Sequence, residues 1–196
     1  MKENDYWNGK RVVITGGTSG LGKELAIELE KLGKVGESRS INTISADVSD
    51  KKQTHKISGE SLGILDGIDV LINNASYLGH TPLRNLMDTE CEDFEQVLAT
   101  NLLGPFRLSK AFLPTMLLQG SGSIINISSD AAINAYPQWG GYGTSKAALD
   151  HLSSIWNEEL ASKNVRLLSI DPGDMDTPMH HAAIPGRPHE QIKVTF

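Results

Sequence analysis

The stretch "TGGTSGLG", residues 15–22, joins the apolar run "RVVIT" at 11–15 to the helix-like pattern "KELAIELEKLG" at 23–33. Glycine loses more backbone freedom on folding than any other residue, so glycines at 16, 17, 20 and 22 call for a compensating gain. A glycine-rich turn between a strand and its helix lets the backbone approach a pyrophosphate. The anion is then stabilised by free N–H groups and the positive end of the helix dipole. In that reading Gly16 makes the turn, Gly20 permits the close approach and Gly22 lets the helix pack on the strand.

Outward from this turn, short Val- and Ile-rich runs recur: "INTIS" at 41–45, "DVLIN" at 69–73, "SIINIS" at 123–128 and "VRLLSI" at 165–170. Runs without alternation predict parallel strands covered on both faces. Leu21, Leu25, Leu29 and Leu32 share one helix face, stopping at Gly33. A second helix is predicted over 89–119, with Phe94, Val97, Leu98, Leu102, Leu108, Phe112 and Met116 mostly on one stripe and bends at Pro105 and Pro114. A third is predicted over 142–161. Strand and helix in alternation predict a single-domain, Rossmann-type doubly wound α/β sheet over residues 1–196, with right-handed crossovers placing helices on both faces. Ligands then bind at the carboxyl ends of the strands.

At 196 residues, 39% hydrophobic and 21% charged, the chain is long enough for a real core. The excess of 24 acidic over 18 basic residues, net charge −6, argues against a nucleic-acid surface and for a soluble, cytoplasmic protein. Cys91 is the single cysteine, so neither an intrachain disulfide nor a thiolate-rich metal site can form. The six histidines are scattered or adjacent rather than spaced on a helix face, and no metal is expected. No targeting segment or membrane span is read.

The glycine spacing is T-G-x-x-x-G-x-G, and it resembles that of the short-chain dehydrogenase/reductase family. Four further segments, in the family's order, carry the same resemblance from about Arg11 to Thr177: "ADV" at 46–48, "NNAS" at 73–76, "YGTSK" at 142–146 and "PGDMDT" at 172–177. Any one of them has a plainer reading, such as an exposed helix pair for Tyr142 and Lys146 or a simple turn for "PGD". Their joint order and spacing is what carries weight.

The resemblance implies an NAD(P)-dependent oxidoreductase acting on a carbonyl or alcohol. Tyr142 would be acid in reduction and base in oxidation. Lys146, one turn along, would place an ammonium near the phenol, favour the phenolate and hold the nicotinamide ribose. Ser129, preferred to Ser128 by its spacing from Tyr142, would orient the carbonyl, and Asn101 would anchor a water and a proton relay to the lysine. Cofactor contacts carried over in the same way are Gly16, Thr18, Ser19, Gly20, Leu21, Gly22, Asp47, Val48, Asn74, Ala75, Pro172, Gly173 and Thr177, together with Tyr142 and Lys146. Candidates for the substrate pocket are Tyr77, Leu78, His80, Ile133, Ala135, Tyr136 and Trp139, and "PMHHAAIPGRPHE" would belong to a lid. A homodimer or homotetramer is expected, and a small-molecule substrate, without nucleic acid or membrane.

The sequence departs from the family in three places. Only "KVGESRS" separates the first helix from "INTIS", where a strand and a crossover helix belong. Either the second strand is vestigial or a segment is omitted; the second is preferred, because a parallel sheet cannot lose a crossover without exposing an apolar face. Arg39 lies about where a 2′-phosphate would be met, with no Asp nearby, so NADP(H) is favoured over NAD(H). The lid and last strand are also abbreviated, "QIKVTF" alone remaining for the strand, and Ser76 replaces the glycine that ends the Asn-Asn-Ala-Gly motif. The alternative reading is a catalytically idle dinucleotide-binding scaffold or redox sensor. An epimerase of the related extended group is rejected, since Ser19 stands where its glycine loop needs glycine.

Overall fold

The computed structural model describes residues 6–32 and 41–186. Four strands, β1 (Val12–Ile14), β2 (Val70–Asn73), β3 (Gly122–Ile127) and β4 (Val165–Ile170), form one parallel sheet in the order β1-β2-β3-β4. The crossovers carry α1 (Gly20–Leu32), α2 (Lys51–Leu65), α3 (Cys91–Leu98), α4 (Gly104–Gln119) and α5 (Gly140–Glu159), with the short α6 (Pro178–Ala183) following β4. This is the Rossmann-type α/β architecture. Within the described residues the strand order runs in one direction; the second-strand region, Arg39 included, and "QIKVTF" lie outside them.

One face of the sheet makes the main core. Val13, Leu71, Ile124 and Leu167 stand in register across the four strands. They pack with Ile57 of α2 and with Leu108, Phe112 and Met116 of α4. On the opposite face Val70 and Ile72 of β2 are buried as expected, but β4 departs from burial on both sides. Leu168 and Ile170, in register with Ile125 and Ile127, are 44% and 42% exposed. β4 therefore alternates buried and open, because the helices described cover one side of it.

"INTIS" forms no strand: residues 41–47 have neither regular structure nor sheet pairing, and Ile41 is 52% exposed. An apolar run becomes a strand only by pairing, and no second strand among the described residues stands between it and β1. The run instead leads into α2, which the sequence reading missed. Asp50 caps that helix by accepting the Lys52 N–H at 2.8 Å. The predicted helix over 89–119 is two helices joined by a π-helical turn, Ala99–Leu103. Pro105 has no N–H to give the Asn101 carbonyl four residues back, and the widened turn sits at that place.

Candidate active site

A cleft of about 620 Å³ opens along the carboxyl ends of the strands. Gly16, Ser19, Gly20 and Leu21 reach it after β1; Asn74, Ala75, Ser76 and Leu78 after β2; Ser128, Ser129 and Asp130 after β3; and Asp171, Pro172, Gly173 and Thr177 after β4. Tyr142 and Lys146 enter from the first turns of α5, where their i,i+4 spacing puts both on one face.

The glycine turn is built as its sequence suggests. Gly16 has φ +66°, and a Cβ there would lie 2.9 Å from the Ala75 Cα. Gly20 has φ +51° and faces Thr177, while a Cβ on Gly22 would run into the Asn74 amide and the Gly16 carbonyl. The turn is clamped to β2. The Thr15 hydroxyl accepts the N–H groups of Asn74 and Ala75 at 3.0 and 2.9 Å, and the Asn74 amide donates to the Thr15 and Gly16 carbonyls at 3.0 and 3.3 Å. Bare backbone beside a helix start, with no room for a side chain, fits a pyrophosphate. Thr15 is a contributor the sequence reading left unassigned, although it stands first in the motif.

Four expected cofactor contacts do not line the cleft: Thr18, Gly22, Asp47 and Val48. Val48 is buried in the main core, and the Asp47 carboxylate accepts the Ser49 N–H at 2.8 Å ahead of α2. Asn101 is likewise absent from the lining and fully buried. Its amide donates to the Tyr77 carbonyl and the Ser145 hydroxyl at 2.8 and 2.9 Å, and its oxygen accepts from Ser76 Oγ and Tyr77 N–H at 3.1 and 2.7 Å. The side chain has no hydrogen-bonding capacity left for a water. Ser76, read from sequence as a departure, thus has a definite partner in Asn101.

Lys146 is buried, donates from Nζ to the Ile127 carbonyl at 2.7 Å and lies 5.4 Å from the Tyr142 ring centroid. Burial lowers its pKa to about 8, against a smaller opposing effect of Asp150. The expected lowering of the Tyr142 pKa is not what this site gives. Burial raises it, the Ser129 and Ser76 hydroxyls pull it down, and Asp171 and Asp130 push it up, with the net direction upward. Desolvation of the phenolate outweighs hydrogen bonding here, so Tyr142 is held as a neutral phenol, the form of a proton donor.

Of the expected substrate-pocket residues, Leu78, Tyr136 and Trp139 line the cleft. Tyr77 instead donates its hydroxyl to Asp93 at 2.9 Å, Ile133 is 86% exposed, and Ala135 is not part of the wall. His80 borders a separate cavity of about 280 Å³ that touches the far side of Leu78 and Tyr142. Asp130 went unnoticed in the sequence. Its position next to Ser129 was the available signal. Among the described residues no three His, Cys, Asp or Glu side chains converge on one point.

Comparison with known proteins places these features in context. Residues 30–187 match the family model for short chain dehydrogenases. The chain is 37% identical over 136 residues to a 2-(R)-hydroxypropyl-CoM dehydrogenase of Xanthobacter autotrophicus, covering 69% of this chain and 54% of that protein. It is 34% identical to dehydrogenase/reductase SDR family member 6 of Aquarana catesbeiana, covering 92% of this chain and 77% of the relative. A crystal structure of a short-chain dehydrogenase from Streptomyces avermitilis superposes with TM-score 0.76 at 28% identity, over 86% of this chain and 67% of that one. The match to the first of these thus spans about half of that relative's length.

Proposed function

The chain belongs to the short chain dehydrogenase family, and on that premise we propose that it is an NAD(P)-dependent oxidoreductase acting on a carbonyl or alcohol, with Tyr142 as the acid and base. What supports this reading is that Ser129, Tyr142 and Lys146 line the same cleft as the bare glycine turn.

The dinucleotide, when bound, supplies or accepts the hydride. Gly16, Ser19, Gly20 and Leu21 would hold its pyrophosphate, Asn74 and Ala75 would flank it, and Pro172, Gly173 and Thr177 would close over the nicotinamide end. Lys146 would hold the ribose. Ser129 would orient the substrate oxygen beside Tyr142. In reduction the Tyr142 hydroxyl gives its proton to that oxygen. The Asn101 main-chain carbonyl, which Pro105 deprives of an α-helical donor, is the group that would hold the relay water. NADP(H) is preferred to NAD(H) on Arg39. A cytoplasmic homodimer or homotetramer completes the reading.

The test is a fluorescence titration with NADPH and NADH of the wild-type chain and of Gly16→Asp. Saturable binding that disappears in the variant, tighter for NADPH, is expected. Binding of neither cofactor contradicts the reading, and tighter NADH binding overturns the NADP preference alone.

A further inference from the structure

The substrate end of the cleft has a chemistry of its own. Asp130, half-buried, accepts the Ser129 hydroxyl on one carboxylate oxygen at 3.1 Å and the Tyr136 hydroxyl on the other at 2.7 Å. Tyr136 and Trp139 make an aromatic wall, with ring centroids 6.3 Å apart, and Trp139 meets Tyr142 edge-on at 5.7 Å. Ser128, which also lines the cleft and is 5% exposed, has a buried hydroxyl with no hydrogen-bond partner. Asp171 and Asp174 add two more carboxylates to the lining, against Lys146 and His180.

Three consequences follow. The Ser129 proton points at Asp130, yet a carbonyl oriented by Ser129 must take that same proton. When Ser129 turns to the carbonyl, one Asp130 oxygen loses its donor, and a partly desolvated carboxylate without a donor is costly. A hydroxyl on the carbon beside the carbonyl would replace it, since Asp130 lines the same cleft as Ser129. A carboxylate or phosphate at that place would face Asp130 directly and be repelled.

We propose that Asp130 is a specificity-determining residue that selects neutral α-hydroxycarbonyl substrates, whose hydroxyl donates to it as Ser129 turns to the carbonyl, over plain ketones and over oxo acids. This rests on the oxidoreductase reading above. The carbonyl compound takes up a hydride at carbon and the Tyr142 proton at oxygen, two electrons in all, and becomes a vicinal diol as the dinucleotide is oxidised.

Three probes of nearly equal size isolate the group next to the carbonyl: hydroxyacetone, butanone and pyruvate. With cofactor in excess, kcat/KM for hydroxyacetone should exceed that for butanone by about tenfold or more, and that for pyruvate by a wider margin. In Asp130→Asn the ratio of hydroxyacetone to pyruvate should collapse by at least about tenfold, a change in preference that a merely structural role of Asp130 would not produce. Binding of the three probes to the cofactor-loaded chain, followed by tryptophan fluorescence with Trp139→Phe as the control, should show the same order without turnover. Equal or reversed preference, a ratio unmoved in Asp130→Asn, or cofactor binding without reduction of any probe overturns the proposal. Failure to bind either cofactor is the separate result that removes the oxidoreductase reading beneath it.

Discussion

Lys146 lies with its ammonium nitrogen 5.4 Å from the centre of the Tyr142 ring, tied to the Ile127 carbonyl rather than to the phenol oxygen. The pair is one helical turn apart, and both side chains are buried against the cleft. A cation over an aromatic face holds the ring in place. It leaves the phenol oxygen beside Ser129 and Ser76, and burial is the dominant effect there, raising the phenol pKa.

Tyr142→Phe removes only the hydroxyl and keeps the ring beneath Lys146. Turnover is expected to fall by about 100-fold or more, the usual contribution of a positioned general acid. The dissociation constant for NADPH should stay within about threefold of wild type, because the pyrophosphate cradle is untouched. Steady-state assay and fluorescence titration on the same preparation check both halves.

Lys146 carries a stability cost that depends on pH. Its pKa is about 8 in the folded chain against an ordinary 10.5, so between those values the unfolded chain binds more protons and stability rises with pH. Below about 8 the penalty is fully present, on the order of 3 kcal/mol. Urea unfolding of wild type and Lys146→Met at pH 7 and pH 10.5 should show wild type gaining on the variant by roughly that amount. Parallel pH profiles would mean that the folded lysine titrates normally.

Asn101 is fully buried and spends both donors and both acceptor sites on Ser76, Tyr77 and Ser145. Asn101→Leu preserves volume but strands those partners, and a loss of about 3 kcal/mol in urea unfolding is expected. A loss below about 1 kcal/mol would show that this network contributes little.

The two faces of β4 should respond differently to truncation. Leu167 is 3% exposed in the core, whereas its neighbour Leu168 is 44% exposed. Leu167→Ala should cost about 2–5 kcal/mol and Leu168→Ala about 1 kcal/mol or less, measured by denaturant midpoint. Equal costs would mean that the open face of the sheet is covered in solution.

The legible parts of the sequence were those where one residue type answers one local demand. The glycine turn could be read because positive φ and close approach exclude other residues, and β1 to β4 because their Val and Ile runs alternate with helical patterns and find pairing partners in one sheet. Tyr142, Lys146 and Ser129 could be read from the joint order and spacing of the motifs that resemble the family's, and they meet in one cleft. "INTIS" misled because apolar content does not supply a pairing partner. α2 was hidden because its buried face is built largely from Thr54, Ser58 and Ser61 rather than leucines, although Asp50 signalled its start. The direction of the Tyr142 pKa depends on burial, which spacing does not report. The partner of Ser76 was not foreseen and Asp130 was passed over, because Asn101 and Tyr136 become their neighbours only in the fold.

The central claim is that the cleft transfers hydride rather than merely holding a dinucleotide. The direct measurement is to incubate the chain with NADPH or NADH deuterated at the transferring carbon, together with hydroxyacetone, and to examine the alcohol by mass spectrometry. The account predicts deuterium at the new carbinol carbon with wild type and at most traces with Tyr142→Phe. Saturable cofactor binding with no labelled alcohol from hydroxyacetone or from a wider panel of ketones and aldehydes would contradict it and leave a dinucleotide-binding scaffold in its place.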